Sequence, residues 1–197
     1  LKKQSWAHHF QQRGRPCPLV LRELAPQVVS LPEAQLLIDA LTGSDTNSQE
    51  ALRSLARAYV HQGQDARCWQ IAERLATYPR STLCEDLMHL QPAERLVEVL
   101  QALPRKGLDA NTKEIIERRL AQAELLAGRP KSAWKTLPKL GKANPVAAAQ
   151  LAESLGGWLE QHPREVTAER VEELWKALGR CSSPFLARHA PRLIGRW

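Results

Sequence analysis

Aromatic residues, glycine and cysteine are scarce in this sequence, and several structural and functional classes can be excluded from what the sequence lacks. Only 5% of its 197 residues are aromatic, and there are ten glycines and four cysteines. No apolar run approaches the roughly 20 residues that a membrane-spanning helix needs, so no membrane span is predicted. No stretch shows the alternating apolar and polar pattern of strands, so no β-sheet is predicted.

The cysteines form no C-x-x-C pair and no closely spaced framework, which argues against disulfides. They are interpreted as small, buried or half-buried residues of a protein in a reducing compartment such as the cytoplasm. His8, His9 and Cys17 are the nearest approach to a metal-binding cluster, but their spacing matches no zinc signature. No metal site and no cofactor are therefore predicted. The four cysteines are Cys17, Cys68, Cys84 and Cys181.

Motifs of catalysis are also missing. There is no glycine-rich phosphate loop, no H-E-x-x-H and no G-x-S-x-G. The adjacent acids Glu172 and Glu173 point in different directions on a helix, so they do not form a paired-carboxylate site. The sequence therefore predicts a protein that is not an enzyme.

The chain begins at Leu1 without an initiator methionine, and Lys2 and Lys3 follow. No apolar segment comes next, so this start is not interpreted as a signal peptide. We expect the chain to be a domain of a longer or processed protein, and a regulatory helical domain of a larger enzyme is one such possibility.

Glycine and proline separate segments of helical periodicity, which predicts about eleven or twelve short helices joined by short turns. Ser30 with Glu33, and Thr82 with Glu85, have the capping-box spacing of a helix start. Asn144 followed by proline predicts another start, and Pro79 predicts the end of a helix. Short turns make neighbouring helices antiparallel, so the predicted fold is all-α and built of helical hairpins.

Two segments share a pattern in the same register. A small residue and a tryptophan follow a turn glycine at the same distance in both, since Trp69 follows Gly63 as Trp134 follows Gly128. The first segment reads Leu52-x-x-Leu55-Ala56-x-x-Tyr59-x-x-x-Gly63, then Cys68-Trp69, Ile71-Ala72, Leu75 and Pro79. The second reads Leu120-Ala121-x-x-Glu124-x-x-x-Gly128-Arg129-Pro130-x-x-Ala133-Trp134-x-x-Leu137.

This pattern resembles the tetratricopeptide (TPR) repeat family, in degenerate form. The resemblance implies a short α-solenoid of stacked hairpins over one domain, residues 1–197. Residues 1–43 would form an N-terminal cap, 44–142 the repeats, and 143–197 the last helices with a basic tail. Glu124 replaces the usual tyrosine and the hairpin between Thr82 and Leu103 lacks a turn glycine, so an irregular helical bundle is the alternative.

Charge is the clearest pointer to a partner. The net charge is +7, and the stretch 105–142 holds ten basic residues against four acidic ones. The tail after Gly179 carries four arginines and no acid. A basic surface of this kind attracts acidic peptides, nucleic acids or anionic membrane surfaces. Trp69, Trp134 and Trp175 are predicted to face neighbouring helices, since large rings dominate helical cores.

Two functions follow. The first is a protein–protein interaction scaffold that binds an acidic segment of another protein. The resemblance implies contacts from the exposed residues Arg53, Arg57, Asn111, Lys113, Glu117 and Arg118. The second is nucleic-acid binding through the basic stretch and tail, which predicts affinity that falls steeply with salt. The residues for this second function are Arg105, Lys106, Arg119, Arg129, Lys131, Lys135, Lys139, Lys142, Arg188, Arg192 and Arg196.

Overall fold

The computed structural model describes residues 17–41 and 45–179, and over these ranges the fold is all-helical. The described residues form two compact units. The first unit consists of residues 17–41, 45–89 and 102–108, and the second of residues 90–101 and 109–179. The prediction of one continuous domain over 1–197 stays a prediction.

The described part of the chain contains eleven α-helices and one 3-10 turn. In the first unit these are α1 Pro18–Glu23, α2 Ala25–Val28, α3 Ala34–Ala40, α4 Thr46–His61, α5 Asp65–Arg74 and α6 Thr77–Leu87. The second unit contains α7 Ala93–Ala102, α8 Ala110–Leu126, α9 Pro130–Ala143, α10 Pro145–Gln161, the 3-10 turn Pro163–Glu165 and α11 Ala168–Leu178. The last residue of α7, Ala102, is counted with the first unit.

In the first unit, α4 is the central helix and packs against α1, α2, α5 and α6. Its Leu52, Leu55 and Tyr59 are almost completely buried, as their helical spacing on one face predicts. The Gln49 side chain, near the start of α4, accepts a hydrogen bond from the backbone N–H of Ala76 at the start of α6 (2.8 Å). Further along both helices, Arg53 of α4 pairs with Asp86 of α6, so α4 and α6 run in the same direction.

In the second unit, α8, α9 and α10 pack pairwise on one another, and α11 packs on α9 and α10. Asn144 at the start of α10 donates to Asn111 near the start of α8 (3.2 Å), and Gln122 further along α8 donates to Ser154 of α10 (2.9 Å). Helices α8 and α10 are therefore parallel. Their core consists mainly of alanines and leucines of α8 to α11.

The turns after α4 and α8 have the same conformation. Gly63 has φ 75° and Gly128 has φ 73°, a region that residues with a Cβ rarely adopt. After α4, the N–H of Gly63 donates to Val60 C=O (3.0 Å) and the next N–H reaches Tyr59 C=O (2.9 Å). The turn at Gly128 repeats both bonds, at 3.1 Å and 2.8 Å. Both are Schellman turns, which return the chain into an antiparallel helix.

Two predicted capping boxes are wrong. The Ser30 hydroxyl donates to the Pro26 carbonyl (3.3 Å) and accepts from the Gln62 side chain (2.8 Å), so it does not cap α3. Thr82 lies inside α6 and donates to the Tyr78 carbonyl (3.1 Å). Because proline is tolerated in the first turn of a helix, Pro79 lies near the beginning of α6 and does not end α5.

Candidate functional site

The predicted contact residues of α4 differ in their availability. Arg53 is half-buried and forms ion pairs with Glu50 and with Asp86 of α6. Burial lowers the pKa of the Arg53 guanidinium, but the two carboxylates outweigh burial and the pKa is raised. Arg57 is exposed. Arg53 therefore joins α4 to α6, whereas Arg57 is available to a partner.

The predicted contact residues of α8 include one error. Asn111, Lys113 and Glu117 are exposed, as predicted. Arg118 is only 7% exposed, so its assignment to a partner surface is wrong. One step along a helix turns a side chain by 100°, which carries Arg118 from the side of Glu117 toward the interior.

The residues proposed for nucleic-acid binding do not lie in one unit. Arg105 and Lys106 belong to the first unit, and the predicted residues from Arg119 to Lys142 belong to the second. Arg119 is half-buried and donates to Gln122 (3.0 Å), whereas Arg129 is exposed. Three residues of the predicted set lie outside the described residues, namely Arg188, Arg192 and Arg196.

Charge over the described residues is balanced. They hold 20 lysines and arginines against 21 aspartates and glutamates, although the whole chain has a net charge of +7. The excess of positive charge comes from the eight basic residues of segments 1–16 and 180–197. A basic surface within the described residues must therefore arise from local arrangement, and helix α9 has such an arrangement.

Helix α9 separates its charges from its apolar residues. Its four lysines follow one another at spacings of four, four and three residues, which places them along one face over about 16 Å of helix. All four are exposed, and the helix has no acidic residue. None of them forms an ion pair with another described residue. We call this surface the lysine face. Its residues are Lys131, Lys135, Lys139 and Lys142.

The opposite face of α9 is buried. Ala133, Leu137 and Leu140 are at most 2% exposed and pack in the core of the second unit. Packing of this face against α8, α10 and α11 orients the lysine face toward solvent. Side-chain packing, not charge, thus decides which way the lysines point.

A groove of about 220 Å³ lies where α9 meets α11. We call it the α9–α11 groove. Leu137, Pro138 and Gly141 of α9 and Ala177 of α11 supply its apolar lining. Three charged residues complete the lining, namely Lys142, Glu173 and Lys176. Since Lys142 belongs to the lysine face as well, the groove continues directly from that face.

The two helices of this groove are parallel. Near the start of each, the Arg170 guanidinium of α11 lies over the Trp134 ring of α9, 5.5 Å from the ring centroid. Near the end of each, Gly141 and Ala177 line the α9–α11 groove. Arg170 thus lies between α9 and α11 near their starts, and the groove lies between them near their ends.

The first unit has a cavity of about 240 Å³ between α3, α4 and α5, and its lining mixes apolar residues such as Ile38 and Ile71 with polar ones. Arg74 of α5 bonds the Asp39 carboxylate of α3 (3.2 Å) and donates to the carbonyls of Ile38 and Leu41, each at 3.0 Å. These bonds tie α5 to the end of α3. The two helices beside this cavity are therefore bridged by a charged side chain.

The predicted core tryptophans are only partly in the core. Trp69 and Trp134 are half-buried, whereas Trp175 is 38% exposed, so the prediction for Trp175 is wrong. The small residues that precede the first two, Cys68 and Ala133, are completely buried. Packing of α5 and α9 thus depends on these small residues as well as on the rings.

Two cysteines behave as buried small residues. Cys68 and Cys84 are completely buried and have free thiols, whereas Cys17 is exposed. Burial, and after it the charge of Asp65, raises the pKa of the Cys68 thiol. Within residues 17–41 and 45–179, no three His, Cys, Asp or Glu side chains come together as a metal site. His8, His9 and Cys181 lie outside the described residues.

Sequence reasoning missed two polar residues that hold the start of α6. Gln49 caps it from another helix, and Arg80 is a buried arginine, 6% exposed, that bonds four backbone carbonyls. The partners of both residues lie on other helices or on the segment after α7, so no helical spacing identifies them. The lysine face, in contrast, is visible in the sequence as a helical spacing of like charges.

No helix among the described residues combines the length and the apolar character that crossing a membrane requires. No protein-family model matches this chain, and neither a curated protein nor a solved structure matches it.

Proposed function

We propose that this protein is a non-enzymatic interaction module of stacked helical hairpins, and that the lysine face binds an acidic segment of a partner protein. The observation that carries the proposal is the set of four exposed lysines on α9, with no acid on the helix and no ion pair to a described residue. Surface charges left without partners steer and bind a surface of opposite sign.

The packing of the helices supports a stacked-hairpin module. The hairpins α4–α5 and α8–α9 both contain a Schellman turn, and in each a buried small residue, Cys68 or Ala133, precedes a tryptophan. In the second unit, α8 lies parallel to α10 and α9 parallel to α11, with antiparallel neighbours between them. Repeated hairpins in this arrangement present successive helices on one side, which suits the binding of an extended or helical partner segment.

The spacing of the lysines suits an acidic helix. Four residues of helix rise about 6 Å, so glutamates four residues apart match the lysines four residues apart on α9. Arg57, Lys113 and Glu117 stay proposed contacts because they are exposed, but they do not form a uniform charge surface. The lysine face is therefore the surface to test first.

The test measures fluorescence anisotropy of a labelled, helix-forming peptide that carries glutamates four residues apart and a central alanine. Changing Lys131, Lys135, Lys139 and Lys142 together to glutamine is expected to weaken binding roughly 30-fold, at about 0.5 kcal/mol for each exposed charge pair. The control changes four exposed basic residues that are not proposed contacts of the acidic partner, Arg22, Arg67, Lys106 and Arg164, to glutamine and should leave the affinity within about 3-fold.

The same assay includes labelled single-stranded DNA, double-stranded DNA and RNA of similar charge, because the ten basic residues between 105 and 142 favour nucleic acid as the second function. Nucleic acid that binds more tightly than the peptide, with a steep loss of affinity in salt, would replace the acidic protein as the partner. Equal binding of the peptide to the wild type and the lysine variant would refute the lysine face as the site.

A further inference from the structure

We infer that the α9–α11 groove binds an apolar side chain of the partner, so that the partner segment is acidic and carries one aliphatic anchor. This inference rests on the proposed function and specifies the partner's chemistry. It assigns the charges of the partner to the lysine face, and its anchor residue to the space beside Leu137, Pro138 and Ala177.

The size and lining of the groove select the anchor. A space of about 220 Å³ exceeds the volume of a single aliphatic side chain, and its floor of Leu137, Pro138, Gly141 and Ala177 offers contact with carbon atoms. Burying an aliphatic side chain there removes apolar surface of both partners from water. Pro138 has no backbone N–H, so this part of the floor has no amide donor for a polar ligand.

The charged lining sets the context of the anchor. Lys142 lines the groove and also belongs to the lysine face. Lys176 of α11 also lines the groove and pairs with Glu172 at 2.7 Å, and both of these side chains are exposed. A carboxylate of the partner next to its anchor would meet Lys142, which has no ion pair with another described residue. The lysine face and the groove thus form one continuous surface.

The same lining disfavours nucleic acid as the occupant. Phosphates need donors, and the floor is made of hydrocarbon. No exposed aromatic residue lies on the lysine face to stack on a base. An acidic protein segment with an aliphatic side chain satisfies both parts of the surface.

The experiment compares two peptides that differ at one position. The acidic peptide with its central alanine changed to leucine is expected to bind the wild-type protein about 10-fold more tightly than the alanine peptide. The variant Ala177→Leu places a larger side chain in the groove, and should bind both peptides equally. The lysine-to-glutamine variant should weaken both peptides while keeping their ratio.

A second measurement does not depend on the folding of Ala177→Leu. In methyl NMR spectra of the wild-type protein, the leucine peptide should shift the signals of Leu137 and Ala177, and the alanine peptide should not. Equal affinity of the two peptides for the wild type, with loss of both in the lysine variant, would refute the anchor and leave the proposed function standing. Failure of both peptides to bind would refute the proposed function itself.

Discussion

The hairpins α4–α5 and α8–α9 are alike in their turns, but the helix that follows each hairpin begins by different means. After α9, Asn144 caps α10 with its own side chain, which accepts from the Ala147 N–H at 3.0 Å, and proline follows. After α5, Ala76 has no capping side chain, and Gln49 of α4 accepts its N–H at 2.8 Å. Helix α10 is therefore capped by the residue that precedes it, whereas α6 is capped by a side chain of another helix.

Arg80 adds a second tertiary contact at the same place. Its guanidinium donates to the carbonyls of Leu75 (2.9 Å) and Glu73 (3.1 Å) at the end of α5, and to that of Lys106 (3.1 Å) across the first unit. Burial lowers the pKa of Arg80, and the charge of Glu73 opposes this shift. The carbonyls at the end of α5 that a longer helix or a local cap would satisfy are here satisfied by a side chain of the next helix.

The two hairpins also differ on the surface. Helix α5 carries Asp65, Arg67, Glu73 and Arg74, and Arg74 is used to bind α3. Helix α9 carries four exposed lysines and no acid. Since the turn and the buried positions are the same, surface charge is free to vary between hairpins. This difference is the reason that we place the binding surface on α9.

The largest effect is expected from removing the contacts of Arg80. Arg80→Met should lower the free energy of unfolding by about 3 kcal/mol, because four buried or partly buried carbonyls lose a charged donor. Urea unfolding followed by circular dichroism measures this loss, and hydrogen exchange should show it in α5 and α6. The control Arg57→Met changes an exposed arginine and should cost less than about 0.5 kcal/mol. Similar losses in both variants would mean that the Arg80 contacts contribute little.

The turn glycines test whether the hairpins are equivalent. Gly63→Ala and Gly128→Ala should each lower the free energy of unfolding by about 1–2 kcal/mol, since alanine is strained at positive φ. Nothing lies within 4 Å of a Cβ added at either position, so backbone strain alone sets the cost. Gly157→Ala, inside α10 and equally uncrowded, should stabilise by about 0.5–1 kcal/mol. Unequal costs at Gly63 and Gly128 would break the equivalence.

The smallest effect concerns the caps that start α4 and α8. Asp45 accepts the Ser48 N–H (3.0 Å) and Asp109 the Thr112 N–H (2.8 Å), and these bonds lower the pKa of both carboxyls. When the pKa of a carboxyl is lower in the folded state, its ionised form stabilises the fold. This stabilisation is fully present above the pKa of the unfolded state and is lost as the pH falls through the pKa of the folded state.

Thermal unfolding between about pH 5 and pH 2 checks this direction. The double variant Asp45→Asn and Asp109→Asn keeps the capping oxygens and should lose less stability than the wild type as the pH falls. Identical pH profiles of the two proteins would show that these caps do not depend on charge.

Much of the fold could be predicted from the sequence because its signals are local. Asn144 with Pro145, and the glycines at 63 and 128, act within a few residues, and each lies where the sequence predicts a helix start or a turn. The predictions failed at Ser30 and Thr82, where a distant partner or the interior of a helix uses the hydroxyl.

The candidate site was less predictable. The ratio of basic to acidic residues between 105 and 142 pointed toward the second unit, but it grouped the buried Arg118 with exposed lysines. It also combined Arg105 and Lys106, which belong to the first unit, with residues of the second. A count along the chain cannot separate these residues, because exposure depends on which face of a helix is packed.

The sequence by itself determined the helical class, the two matching hairpin turns and the lysine periodicity of α9, because each depends on residues within one or two turns of a helix. Only the tertiary structure decided that Gln49 and Arg80 hold the start of α6, that Arg118 is buried, and that an apolar groove adjoins Lys142. These features arise between different helices, where packing sets which polar groups lose water and must find partners.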